Sequence, residues 1–581
     1  MSAYKPISFE TNGVKSMQRK TNCNPPLDIP NLNFSRRELI KSSLLGGGAA
    51  AAGALLGSLD PTPAFAVDSS SKYETPIVET AAGKVRGVIQ AGTHTFRGIP
   101  YGASTAGSNR FMPPRKPEPW TGVRDAFQNG PTAPQLLAAP NPLILNHKDP
   151  ALQGEDCLVI NVFTPGVNDA RKRPVMVWLH GGGFASGAGS AHSFDGTYLA
   201  RSGDVVVVSV NHRLNIFGHL FLAGAGGDKF ADSGNVGLLD VISVLQWVRE
   251  NISQFGGNPA NVTLFGQSGG GLKISNLLAM PPAKGLYHKA IIESGSALKA
   301  IHREDAAKTT DRILAKLGLQ PNQVDELQKL SVDRLLSAID MRGSAPGTQP
   351  FNLGPVVDGR ALPADPFDPA APDISADIPL IVGTVNTEGT FFTPPDSPLY
   401  SLDETGLRAR LTPRFGDSTD KLIDLYRKET PNASPSQIYF MVTAFPSVAI
   451  TLAERKVAQG KAPVFMYLFT WETPVEGGKR HSPHTVELPF VFNNPLEQPE
   501  EVGNGPELQP LAEKMSGAWA AFAHSGNPNT PAVPKWLPYS VADRPTMIIN
   551  NEWKLMNDPR HEVRMIMNSL PASGPGQTPA F

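Results

Sequence analysis

Six short apolar runs constrain the fold of this chain more than any other feature. They are PVMVWLH (174–180), DVVVVSVN (204–211), NVTLFG (261–266), KAIIESG (289–295), PLIVGT (379–384) and VFMYLF (464–469). Each is rich in β-branched or aromatic residues and largely lacks polar alternation, so each reads as a strand covered on both faces. Between the second and third lies NVGLLDVISVLQWVRENISQF (235–255), in which Leu238, Val241, Ile242, Leu245 and Val248 fall at helical spacing. Such strands separated by helices predict an α/β fold, a mostly parallel central sheet flanked by helices. Residues 303–340 and 501–524 also read as helical, the former as part of an insertion around the sheet. No linker-like break separates these elements, so residues 67–581 are expected to form one large domain with large insertions.

The first 66 residues differ in character. Arg36 and Arg37 are paired in SRRELIK, the weakly apolar SSLLGGGAAAAGALLGSL follows, and PAFA offers Ala64 and Ala66 to a signal peptidase. This pattern is that of a twin-arginine export signal cleaved after Ala66, which implies a periplasmic or secreted mature chain. As a membrane span the stretch is poor, being short, rich in Gly and Ala and broken by Pro61 and Pro63. No other segment is read as long and apolar enough to cross a membrane. Cleavage would remove Cys23 and leave Cys157 as the only thiol, beside the apolar LVINV, where a small buried hydrophobe is the expectation.

Charge excludes some partners. Lys and Arg number 52 against 53 Asp and Glu, without a long run of one sign, so no electrostatic footprint for nucleic acid or an anionic membrane is present. Nothing in the sequence bears on oligomeric state.

The chemistry concentrates in FGQSGGGLKIS (265–275). Strand NVTLF runs into Gly266-Gln267-Ser268-Gly269-Gly270, and LKISNLLAM continues at helical spacing. Strand, GxSxG and helix in that order describe a nucleophile elbow, where Gly266 and Gly270 must be small to pack against each other. A phosphate loop would need Lys followed by Ser or Thr, but Lys273 precedes Ile274. A serine hydroxyl needs a base, an orienting acid and a site for the oxyanion. HGGGF (180–184), directly after the first strong core strand, provides that site, since a loop without side chains lets N–H groups converge on a developing negative oxygen.

Blocks matching a known family run nearly end to end: FRGIPYG (96–102), RFMPPRKPEPW (110–120), EDCLVINVFTP (155–165), HGGGF, NVGLLD, LQWVRENISQFGGNPANVTLFGQSGGG, TEGTFF (387–392), HTVELPFVF (484–492) and FAHSGNPN (522–529). On these motifs the chain resembles the type-B carboxylesterases of the α/β-hydrolase superfamily, relatives of cholinesterases and bile-salt lipases. Spacing alone does not choose among the 12 histidines. The resemblance implies His484 as base, since HTVELPFVF parallels the family's His-Gly-x-Glu-Leu stretch; His481 is the near rival, His524 falls where the family usually has another residue, and His180 shapes the oxyanion loop. It implies Glu388 as acid, which sits after the strand PLIVGT at a carboxyl-side strand end. The implied triad is Ser268, Glu388 and His484, with the N–H groups of Gly182, Gly183 and Gly269 as oxyanion hole. The implied activity is hydrolysis of small to medium, uncharged carboxylic esters through an acyl-enzyme, with no metal or organic cofactor. Arg110 and Glu155 resemble the family's structural ion pair.

Three departures from the family pattern stand out, and the charge at residue 267 and a missing tryptophan bear on substrate. Gln267 stands where many relatives carry Glu, which removes a negative charge beside the nucleophile, and Gly269 stands where many carry Ala. The region before GEDC lacks the tryptophan that cholinesterases use to stack on quaternary ammonium, and the cysteine that relatives bond to Cys157 is missing. A cholinesterase is therefore disfavoured. Two alternatives stand beside the soluble-ester hydrolase: a lipase acting on water-insoluble esters, and a non-catalytic binding protein of the same fold.

Overall fold

The structure, a computed structural model, describes residues 74–136, 151–342 and 350–570. The export signal, Cys23 and most of the 139–153 loop lie outside the described residues.

The main sheet has eleven strands, in chain order β1 (Val88–Gln90), β2 (Thr93–Pro100), β3 (Val159–Thr164), β4 (Arg173–Leu179), β5 (Val206–Val210), β6 (Gly257–Gln267), β7 (Lys289–Glu293), β8 (Leu380–Val385), β9 (Val464–Phe469), β10 (Pro545–Ile549) and β11 (Lys554–Asn557). Their spatial order is β11-β10-β9-β8-β7-β6-β4-β5-β3-β2-β1. From β5 through β4 and β6 to β10 every pairing is parallel, whereas β1, β2, β3 and β11 join antiparallel at the two edges. The six apolar runs are the six central parallel strands β4 to β9. Of the other strands, β1 and β11 are only 3 and 4 residues long and β2 carries polar residues at alternate positions, whereas the largely buried β3 and β10 join the sheet without such a signal.

Burial explains why the central runs do not alternate. Every residue of β4, β5, β7 and β9 is buried. Successive side chains still point to opposite faces. Val175, Val177 and Leu179 of β4 join the core that α1 (Val236–Asn251) covers with Leu238, Val241, Ile242, Leu245 and Val248. Met176 and Trp178 join the opposite core, where α3 (Leu508–Ser525) contributes Met515, Trp519 and Phe522. Both faces are therefore dry, and apolar residues serve at every position.

Two helical expectations need new boundaries. Residues 303–340 are two helices, Arg303–Leu317 and Val332–Ile339, separated by a 3-10 segment Pro321–Gln328 that opens on a proline. In the 501–524 stretch the helix proper is α3, preceded by the short turn Pro499–Val502. A further helical lobe, Glu404–Phe415, Thr419–Glu429 and Pro435–Thr443, closes over its own core of Leu407, Leu411, Leu422, Ile423, Tyr426 and Met441. The expectation that no later segment is apolar enough for a bilayer also needs correcting. Residues Pro435–Val457 reach that length and hydropathy, although 56% of the most apolar window is buried inside the protein. The chain there is two helices, ending at Thr443 and restarting at Ser447 after Pro446.

Cys157 is free and fully buried, and burial drives its thiol pKa far up, as expected of a packing residue. Arg110 and Glu155 form a two-pronged ion pair at 2.7 Å, and Arg110 also donates to the carbonyls of Leu327 and Leu330, which ties the 321–328 segment to the sheet domain.

Candidate active site

Strand neighbours decide what meets at the carboxyl edge of the sheet. β5 lies on one side of β4 and β6 on the other, so the loops leaving β4 and β6 diverge from a topological switch point, the place where α/β sheets leave room for a ligand. The register sets Leu179 of β4 beside Gly266 of β6. The 180–184 loop and Ser268 are therefore adjacent by construction.

Ser268 has φ 56° and ψ −122°, a region costly for a residue with a side chain. What holds it there is local. Its N–H donates to the carbonyl of Glu293 at the end of β7 (2.8 Å), and its own carbonyl accepts from Leu272 N–H (3.0 Å) as α2 (Gly269–Leu277) begins. Both flanking glycines are required, and for a further reason than mutual packing. A Cβ on Gly270 would stand 1.8 Å from the Leu179 carbonyl oxygen, and one on Gly266 would stand 2.7 Å from the same oxygen. The serine side chain, by contrast, is partly solvent-accessible.

Glu388 and His484 are in direct contact, Oε2 against Nδ1, and are 4% and 3% exposed. The other carboxylate oxygen of Glu388 accepts from Val385 N–H (3.0 Å) at the end of β8. The two loops that carry these residues are laced together. Thr387 N–H donates to the Ser482 carbonyl (3.1 Å), Ser482 N–H donates to Thr387 Oγ1 (2.9 Å), and Thr390 Oγ1 donates to the Arg480 carbonyl (2.7 Å). The buried Arg480 returns a bond to the Thr390 carbonyl (2.5 Å) and pairs with Glu476.

Nε2 of His484 faces the elbow, and there the side-chain amide of Gln267 donates to it (3.1 Å). That contact was not legible in sequence, where Gln267 counted only as a missing charge. The rival histidines are engaged elsewhere: His481 with Glu472 (3.1 Å) and His524 with the Gly203 carbonyl (2.9 Å).

Gly182 and Gly183 have φ of +83° and +62°, and a Cβ on Gly182 would meet the Ser186 carbonyl oxygen at 2.4 Å. Gly269 lies against the same loop, since its Cβ would fall 2.2 Å from Gly183 O and 2.5 Å from Gly183 N. The three glycines expected to form an oxyanion hole are thus contiguous around Ser268. His180 is buried, and burial followed by the charge of Lys273 pushes its pKa well down, so the ring is neutral. Its Nδ1–H donates to the Gly181 carbonyl (2.8 Å) and the ring stacks on His212. Aromatic rings crowd His484: Phe391 and Phe392 lie 5.8 and 5.1 Å away by centroid, and Phe392 is 51% exposed. Among the described residues no group of His, Cys, Asp and Glu is arranged to hold a metal ion.

The model of the Carboxylesterase family matches residues 74–565. A para-nitrobenzyl esterase of Bacillus subtilis (strain 168) is 41% identical over 497 residues, 84% of this chain and 97% of the relative. A phenmedipham hydrolase of Pseudarthrobacter oxydans is 32% identical over 489 residues, 82% of this chain and 95% of the relative. Among solved structures, a thermophilic pNB esterase aligns with a TM-score of 0.72 at 40% identity, covering 84% of this chain and 99% of its own. An esterase of Clostridium hathewayi described as hydrolysing aliphatic aromatic polyesters aligns at 0.76 and 33% identity, covering 86% and 98%.

Proposed function

Because the chain belongs to the carboxylesterase family and is a carboxylic ester hydrolase, we propose that it works through Ser268, His484 and Glu388 on uncharged esters of small to medium size. The observation that carries this reading is the strained elbow at Ser268 beside the Glu388–His484 contact. In the proposed cycle the Gln267 amide gives up its bond to His484 Nε2, which then takes the hydroxyl proton as Ser268 Oγ attacks the ester carbonyl, and Glu388 holds the ring with its other proton on Nδ1 and steadies the imidazolium. The carbonyl oxygen, now an anion, is held by the N–H groups of Gly182, Gly183 and Gly269, each donor contributing about 2.7–4 kcal/mol toward the transition state. The alcohol departs with the proton from His484, leaving the acyl group on Ser268. Water then repeats the sequence and frees the acid.

The neutral Gln267 and the aromatic rings at His484 support uncharged, apolar or aryl esters over cationic ones. A fluorophosphonate probe followed by peptide mass analysis tests the nucleophile: the label is expected on Ser268, and S268A should lower kcat on p-nitrophenyl butyrate by about 10⁴-fold or more. Labelling elsewhere, or an S268A enzyme with undiminished turnover, overturns the reading. We also propose export by the twin-arginine route, with a mature N-terminus at Val67; recovery of exported protein that still begins at Met1 would exclude that cleavage.

A further inference from the structure

We propose that Lys273 is a positioning residue that staples the oxyanion loop from beneath, its buried ammonium bridging the backbone carbonyls at the two ends of that loop. The proposal rests on the reading of Gly182 and Gly183 as oxyanion donors.

Lys273 is 0% exposed, on α2, five residues past Ser268. Its Nζ donates to His180 O at 2.9 Å and to Gly183 O at 3.0 Å. The two carbonyls between them are held as well: Gly181 O accepts from His180 Nδ1–H (2.8 Å), and Gly182 O accepts from the N–H groups of Ala185 (3.2 Å) and Ser186 (3.1 Å). All four consecutive carbonyls of residues 180–183 therefore have donors within the protein. In a trans peptide the N–H points opposite to the C=O. Holding these carbonyls fixes which way the amides of Gly181, Gly182, Gly183 and Phe184 point, and two of those four are the proposed oxyanion donors. Lys273 supplies the two outer anchors, which orient the amides of Gly181 and Phe184 and so bracket the two donor amides, whose own carbonyls are held by His180 and by the N–H groups of Ala185 and Ser186.

Gly269 makes the approach possible. It lies four residues before Lys273, on the same face of α2, and any Cβ there would occupy the place of Gly183 O. The groups facing the ammonium carry no compensating negative charge. His180, His212 and His219 are all buried with their pKa values pushed down, first by burial, and the ring of Phe184 lies 5.7 Å from Nζ. A lysine so placed is costly, because burial pushes its pKa down to about 7, while the two carbonyls favour the charged form. A chain that needed only to fill this space would be more stable with an apolar residue.

The test compares K273M, which keeps length and removes donors and charge, with K273Q, which keeps an amide donor. For K273M, kcat on p-nitrophenyl butyrate should fall on the order of 10- to 100-fold with KM changed by less than about threefold, because the loss appears in the transition state. Inhibition by an aryl trifluoromethyl ketone, whose adduct with Ser268 carries the oxyanion, should weaken by a similar factor, with a smaller loss in K273Q. A folded K273M with kcat and ketone affinity at the wild-type level overturns the proposal, and so does a loss of fold in both variants, which would make Lys273 part of the scaffold. Fluorophosphonate labelling at Ser268 reads the nucleophile independently. If Ser268 is unlabelled in the wild type the catalytic reading fails, and if it is labelled while K273M behaves as wild type only the staple fails.

Discussion

At Gln267 the chain presents an amide to the imidazole nitrogen that must take the proton of Ser268. Its N–H donates to Nε2 of His484, a bond open only to the neutral ring. Q267E would set a buried carboxylate beside the nucleophile and restore the negative charge that Gln267 removes. Its kcat/KM for a cationic ester should then rise relative to that for a neutral ester of the same size, and an unchanged ratio would show that residue 267 does not select on substrate charge. The elbow glycines make a sharper demand, since a Cβ added at Gly270 would stand 1.8 Å from the Leu179 carbonyl oxygen. G270A should lose turnover and destabilise the fold by about 4 kcal/mol or more, because the obstacle is backbone in the middle of the sheet and not a movable side chain. Thermal melting alongside activity separates this from a purely local effect.

The elements show which parts of this arrangement can be read from a sequence. The central strands were legible because burial on both faces removes polar residues from β4, β5, β7 and β9 altogether, leaving runs that little else produces. The elbow was legible because Gly266, Ser268 and Gly270 carry a steric requirement within five residues. What stayed hidden depends on contacts between distant segments. Nothing near Thr387 announces that Ser482 and Arg480 will lace its loop to that of His484, and the helices 404–429 show their apolar faces only against one another. Lys273 left one faint trace, a lysine in the apolar stretch of a short helix, whose meaning required the carbonyls above it. A similar long-range tie joins β5 to α1. Arg213, just past β5, meets Asp240 of α1 through Nε (2.8 Å) and Nη2 (2.6 Å), with both side chains almost wholly buried. R213M would strand a buried carboxylate and should lower unfolding free energy by about 3–5 kcal/mol, measured by denaturant titration; a change below 1 kcal/mol would mean that water or a rearranged neighbour takes over.

Across the whole molecule, buried carboxyls tie stability to pH. Glu293 accepts from Trp519 Nε1–H (2.6 Å), and burial drives its pKa up to about 8; Glu487 is pushed well up by burial, then by Glu293 and Glu388. A carboxyl that holds its proton in the folded state but ionises in the unfolded chain makes unfolding release a proton between about 4.5 and about 8. Its contribution is fully present below 4.5 and is lost as pH rises through 8. E293Q keeps an acceptor for Trp519 and removes this titration, so it should raise Tm more at pH 8.5 than at pH 5. Equal shifts at both would show that Glu293 is ionised throughout.

Cys157 is sealed in the core without a covalent partner. The enzyme's described architecture therefore has no clasp for a reductant to open, and no isomerase needs to choose among pairings as it folds. Dithiothreitol or oxidised glutathione should leave its melting curve where it was, and production in a reducing host should yield the same active species as production in an oxidising one.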